Sequence, residues 1–300
     1  MSNETPSKNN GNLDRNSSKH IHTPEQLYKK AKDSFWTPDE IELHEDICDW
    51  DKRLQKDEKA YLLALIRREI ISYQDSEDVS SALKKLPSRS ARFFAQFQVT
   101  TENIHIEALE DLVKCYADKP NLTIKERTIS ENRNLPSILL GMIIRNSIEQ
   151  AIFSTSCMWI KQRGLLPGLA LTNELMTRDI NLHLDFAVSC YNLYCRNAYS
   201  NDEVIAEIQK AIDREKTYLY TENPIRNIGL SPEFMLRYME YVADEVLCAL
   251  NFHKQFQETN PFPWMRVLPF PNTLTTLEEK IKSLTHNNVV SNDSVFSIDE

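Results

Sequence analysis

Glycine is nearly missing from this chain, with five in 300 residues. Doubly wound sheets and phosphate-cradling loops need glycine where the backbone turns sharply or approaches a ligand, and neither GxGxxG nor GxxxxGK[ST] occurs. Long helices need little glycine, so its scarcity predicts helix. An excess of basic charge is also missing. Lys and Arg number 35 against 44 Asp and Glu, a formal charge of -9, which argues against binding nucleic acid along its phosphates. There is no CxxC pair. Cys48, Cys115, Cys157, Cys190, Cys195 and Cys248 lie scattered through helix-like segments and read as dispersed buried thiols in a reducing compartment. No apolar run approaches the roughly 20 residues that cross a bilayer. The opening MSNETPSKNNGNLDRNSSKH lacks the apolar core of a secretory signal. These absences predict a soluble, cytoplasmic protein with no membrane or nucleic-acid partner.

What is present divides into three parts. Residues 1–22 are polar, rich in Asn and Ser, and read as a disordered arm that cannot offset its ordering entropy. Residues 23–285 carry the apolar pattern of one helical domain, and 286–300 read as a flexible tail whose apolar island, VFSID, resembles a docking peptide. Thr37-Pro38-Asp39-Glu40 reads as a helix start, with a hydroxyl cap, proline in the first turn and acids at the positive dipole end. The stretches 61–71, 91–117, 202–221 and 231–253 are apolar at helical spacing, whereas 135–162 and 170–195 are apolar on nearly all sides and belong inside a bundle. The expectation is an all-α protein of about eight helices with short connections.

Inside those central helices, a few polar residues break the apolar pattern. Glu102 and His105 stand three apart and project from one face. Glu149 sits between Ile148 and Gln150 on a second helix, and His183 closes Asp179-Ile180-Asn181-Leu182-His183 on a third. Four-helix proteins hold a pair of metal ions with this kind of chemistry, a Glu from each of two helices and Glu-x-x-His from each of two others. A buried ionised carboxylate is costly unless it is paired or on a metal. Glu102, His105, Glu149 and His183 are therefore the candidate metal ligands. The set is incomplete, because the second Glu-x-x-His has Ile180 where its Glu would stand, and an aliphatic side chain cannot ligate.

Over about residues 26–299 the chain resembles the small subunit of class I ribonucleotide reductase, a ferritin-like helical bundle. The matching stretches are SFWTPDEIEL with a downstream DW (34–50), ARFFAQFQVTTENIH (91–105), IKQRGLLPGLALTNELMTRDINLHLDF (160–186), YMEYVADEVLCAL (238–250) and NPF (260–262). The resemblance implies a di-iron carboxylate site that oxidises a nearby tyrosine to a stable radical. That radical passes to the large subunit, which makes deoxyribonucleotides. Four of the family's six ligands are matched, by Glu102, His105, Glu149 and His183, although Glu149 lies closer to the RGLLPGL turn than is usual. Trp36 and Asp179 match the family's radical-relay tryptophan and aspartate.

The departures fall along one route. The first-ligand aspartate is replaced by Tyr73, with Asp75 the nearest carboxylate, and the bridging glutamate by Ile180. The radical tyrosine is Leu109, the relay tyrosine of the tail falls at Leu284, and the docking peptide is cropped to Phe296-Ser297-Ile298-Asp299-Glu300. Leucine has no accessible one-electron oxidation. The expectation is a non-radical small subunit with iron absent or reduced to at most one ion. It would pair as a homodimer or heterodimer with a radical-competent small subunit, and it would contact the large subunit through Phe296, Ile298 and Asp299. Two alternatives stand beside it: a small subunit with an altered or mononuclear centre and its own redox activity, and a structural partner outside nucleotide reduction.

Overall fold

The computed structural model describes residues 22–73, 83–84, 86–117 and 134–265. The expectations for the arm before residue 22, for Asp75 and Leu284, and for Phe296, Ile298 and Asp299 in the tail lie outside them. Among the described residues there are helices and no strand: α1 (Pro24–Asp33), α2 (His44–Arg53), α3 (Lys56–Ser72), α4 (Arg89–Tyr116), α5 (Leu135–Ile144), α6 (Gln150–Gln162), α7 (Pro167–Tyr194), α8 (Asn201–Thr217) and α9 (Pro232–Ala249). A π-turn, Arg145–Glu149, joins α5 to α6 as one continuous helix. None of these helices is long and apolar enough to cross a membrane.

Local chemistry sets where several of them begin. Thr23, Ser88, Ser200 and Ser231 each accept a backbone N–H of the first turn of α1, α4, α8 and α9, as N-cap hydroxyls do. At Ser200 the bond is reciprocated, because Glu203 accepts the Ser200 N–H at 2.7 Å, which completes a capping box. Thr37 behaves differently from its sequence pattern. Its N–H does bond Glu40 Oε1 at 2.9 Å, but the turn is only a 3-10 segment, Pro38–Glu40, and α2 starts at His44. Ile41 turns extended, and the Glu42 carbonyl and Leu43 side chain lie directly against Gly168, so a tertiary contact overrides the local helix signal.

α7 runs through the middle of the bundle, against α1, α2, α4, α5 and α6, and its start is locked from outside. Asp46, fully buried on α2, accepts Gly168 N–H at 2.6 Å and Leu169 N–H at 2.9 Å, and the Tyr116 hydroxyl donates to it as well. Asp49 accepts the N–H of Leu166, which sits at a left-handed φ of 51° just before Pro167. Trp50 stacks on Tyr116 with ring centroids 4.4 Å apart. The DW pair and the RGLLPGL turn are thus two halves of one joint, with a carboxylate on the positive end of the central helix. Of the six cysteines, all free, Cys157, Cys190 and Cys195 are buried as expected, whereas Cys48 is exposed and Cys115 and Cys248 are half-buried.

The joint makes a paired prediction. A Cβ at Gly168 would come within 2.6 Å of the Leu43 side chain and 2.9 Å of the Glu42 carbonyl oxygen, whereas one at Gly141 meets nothing within 4 Å. In urea titrations Gly168→Ala is expected to lose about 1–3 kcal/mol of stability by overpacking. Gly141→Ala, in the interior of α5, is expected to gain about 0.5–1 kcal/mol.

Candidate functional site

Three helices and two connecting segments aim polar side chains at one point in the core. α4 contributes Gln98, Thr101, Glu102 and His105 along one stripe, and α7 contributes Asp179 and His183, one turn apart. Glu69 and Tyr73 come from the end of α3, Trp36 from the segment after α1, and Arg145 from the π-turn. Glu102, His105, Asp179 and His183 are all buried, with 4% or less of their surface exposed.

Two hydrogen-bonded chains organise these groups. In the first, Trp36 Nε1–H donates to Asp179 Oδ2 at 2.8 Å, and His105 Nε2 lies 3.1 Å from the same oxygen. A carboxylate only accepts, so Nε2 carries the ring proton. The ring's Nδ1 lies within hydrogen-bond distance of the Tyr73 hydroxyl, at 3.1 Å. The Trp36 and His105 rings stack with centroids 5.9 Å apart. Burial by itself would raise the Asp179 pKa, but the bond from His105, the neighbouring Arg178 and the Trp36 indole outweigh it and leave the carboxyl below its ordinary value. His105 is thus held at both nitrogens by protein groups.

The second chain centres on Glu102. Its Oε1 accepts from Gln98 Nε2 at 2.9 Å, meets Arg145 Nη1 at 3.4 Å, and faces His183 Nδ1 at 3.9 Å. The Thr101 hydroxyl spends its proton on the Gln98 carbonyl, so His183 Nε2–H must donate to Thr101 Oγ1 at 3.1 Å. His183 Nδ1 is then a lone pair with no hydrogen-bond partner. Burial pushes the His183 pKa down to about 4, so the ring is neutral at pH 7. The Arg145 guanidinium also lies over the Tyr73 ring, 4.3 Å from its centroid, in cation–π geometry. Glu69 is pushed up to about 7 by burial, against the opposing pull of Arg145 and Arg68.

The structure therefore brings together Trp36, Tyr73, Glu102, His105, Asp179 and His183. Leu109, fully buried one turn beyond His105, and Ile180, beside Asp179, are buried aliphatic side chains. Glu149 is not gathered with the others. It is half-exposed and accepts from Arg214 Nη2 of α8 at 2.6 Å. The π-turn supplies the reason: its Gln150 N–H reaches back five residues to the Arg145 carbonyl, so the helix face is reset there. Arg145 reaches Glu102, while Glu149 lies on the far side of a cavity of about 40 Å³ that both residues line with Arg68, Glu69, Ser72 and Gln150.

This donor set does not fit a two-metal centre. Both nitrogens of His105 are engaged, a guanidinium bonds Glu102, and Ile180 offers no donor. Among the described residues no three His, Cys, Asp or Glu side chains converge as a metal-holding group.

Arg145 belongs to this cluster without being part of any ligand motif. Its signal was present in the sequence: a lone cation in the apolar run LPSILLGMIIRNSIEQ, on a helix otherwise destined for the core.

Glu-x-x-His on one central helix and Asp-x-x-x-His on the next, within an all-helical bundle, define a ferritin-like protein built on a carboxylate–histidine core. The family model for the ribonucleotide reductase small chain matches residues 18–261, and the chain belongs to that family. It is 30% identical to the ribonucleoside-diphosphate reductase small chain of Trypanosoma brucei brucei over 305 residues, covering 91% of this chain and 88% of that one. It is also 30% identical to the vaccinia virus (strain Ankara) small chain, covering 91% and 92%. Among solved structures, the Saccharomyces cerevisiae Rnr4 homodimer is similar with a TM-score of 0.70 at 25% identity, covering 90% of this chain and 91% of that one. The dimanganese(II)-NrdF of Streptococcus sanguinis shares the fold with a TM-score of 0.67 at 18% identity, covering 80% and 93%.

Glu69 makes the site's stability depend on pH. Its folded pKa, about 7, lies above the unfolded value near 4.5, so the folded state holds the proton more tightly. The stabilisation this gives is complete below pH 4.5 and is lost as pH rises through 7. Glu69→Gln removes the titration. Relative to wild type, the variant's unfolding free energy is expected to rise by about 3 kcal/mol between pH 4 and pH 8, measured by urea denaturation across that range.

Proposed function

We propose that this chain is a small subunit of ribonucleoside-diphosphate reductase that supports a radical-competent small subunit without carrying the radical itself. The observation that carries the reading is Leu109. It is fully buried one turn beyond His105, where the family's resemblance puts the radical tyrosine, and it offers no oxidisable group. The engagement of His105 by Tyr73 and Asp179 supports the same reading, because a ligand held at both nitrogens has none left for iron. The remnant relay pair, Trp36 hydrogen-bonded to Asp179, then serves as a structural tie between the α1 side of the bundle and α7. The similarity to the yeast Rnr4 homodimer supports assembly through a second small subunit, either this chain or a homologue. The site of action is the cytoplasm, beside the large subunit.

One observation favours a second reading, a mononuclear centre. His183 Nδ1 is an unpartnered lone pair facing Glu102, and two such donors with solvent are the beginnings of a single-ion site.

The isolated chain, treated anaerobically with Fe(II) and then with oxygen, is expected to give no tyrosyl EPR signal and to retain less than about a tenth of an iron per chain, since a working site needs at least three protein ligands. Mixed with a radical-competent small subunit and the large subunit, it is expected to co-purify with both. A tyrosyl signal from the isolated chain would overturn the first reading, and one stoichiometric iron per chain would favour the second.

A further inference from the structure

We infer that Arg145 is a resident cation. It supplies, from the chain itself, the positive charge that the buried acids of this core require, so the subunit folds and persists in a metal-free state. The inference deepens the non-radical reading and takes its biological meaning from it, but it stands on separate geometry.

The case begins with charge. Glu102 is 2% exposed and Glu69 is 7% exposed, and both lie in the same part of the core. A buried carboxylate without a cation or a full set of donors costs several kcal/mol, and in practice it neutralises or draws in a counter-charge. In a metal–carboxylate bundle the ion is that counter-charge. Here a guanidinium fills the role: Arg145 Nη1 reaches Glu102 Oε1 at 3.4 Å, and the group lies over the Tyr73 ring, 4.3 Å from its centroid. The carboxylates Glu102, Glu69 and Glu149 each favour its charged form, against the opposing cost of burial.

Three features show that the arrangement is built rather than incidental. The π-turn starts at Arg145 itself, and such one-turn widenings are uncommon and mark places where a side chain must be re-aimed. Tyr73 provides the aromatic face that the guanidinium covers, and its hydroxyl occupies His105 Nδ1. Gln98 adds a second donor to Glu102 Oε1, at 2.9 Å. Cation, ring and amide together meet needs that a metal would otherwise meet. Arginine suits the task better than lysine would, because its planar fork bonds a carboxylate and stacks on a ring at once.

Thermal melting of the full-length chain tests this directly. The wild-type midpoint is expected to be the same, within about 2 °C, in EDTA and in excess Mn(II), because neither removes or adds the charge. Arg145→Met keeps the length but takes the guanidinium away from Glu102, and its midpoint is expected to fall by about 8 °C or more. Arg145→Lys keeps a cation, and is expected to recover at least half of that loss. If Arg145→Met does not fold at all, a folded Arg145→Lys carries the same conclusion. A wild-type midpoint raised by Mn(II) or lowered by EDTA would overturn the inference. So would an Arg145→Met variant as stable as wild type, or an Arg145→Lys variant that loses as much as the methionine. A tyrosyl radical in the wild-type chain would overturn the proposed function while leaving the comparison of Arg145 variants intact.

Discussion

Glu102 sits at the centre of the bundle, on the longest run of buried polar residues in α4, and a carboxylate there has to be answered by positive charge. Most of what is unusual about this core follows from how it is answered. Arg145 must reach inward, so the helix of α5 and α6 widens by one residue. Glu149 is turned out to Arg214, and Tyr73 closes over the guanidinium and takes a nitrogen of His105. The two histidines remain inside, one tied to Asp179 and the other to Thr101. Hydrogen bonds and the ion pairs Arg145–Glu102 and Arg178–Asp179 knit these groups together.

The frame around that core belongs to the ribonucleotide reductase small-chain family and is held by ties along α7, most of them away from the site. Asp46 on the start of α7, Asp49 on Leu166 and the Trp50–Tyr116 stack fix the central helix at one end. Trp36 on Asp179 fixes it near its middle. Because those ties make no use of a metal, the scaffold can be retained while the chemistry within it is replaced.

Much of this was legible in the sequence. Scarce glycine and apolar spacing gave the helices, and the long ones at 91–117 and 170–195 fall within two or three residues of α4 and α7. Glu102, His105, Asp179 and His183 were recognisable because polar residues at fixed spacing stand out on apolar helices. What stayed hidden was three-dimensional. Thr37 carries a sound capping box, yet the chain beyond it must lie flat against Gly168, and no local pattern encodes that contact. Glu149 looked like a core acid because a regular helix would place it inward. A π-turn has no reliable sequence signature, so its rotation was not foreseeable. Arg145 carried a visible signal, a single cation in an apolar helix, but ligand motifs are made of acids and histidines and do not include a cation.

An anomalous difference map tests the central claim most directly, from crystals of the full-length chain grown with excess Mn(II) or Fe(II) and measured at the metal's absorption edge. The expected map has no peak between Glu102, His105 and His183, and density for the Arg145 side chain running to Glu102. A peak at metal–ligand distance from Glu102 and His183, with Arg145 swung away, would contradict it.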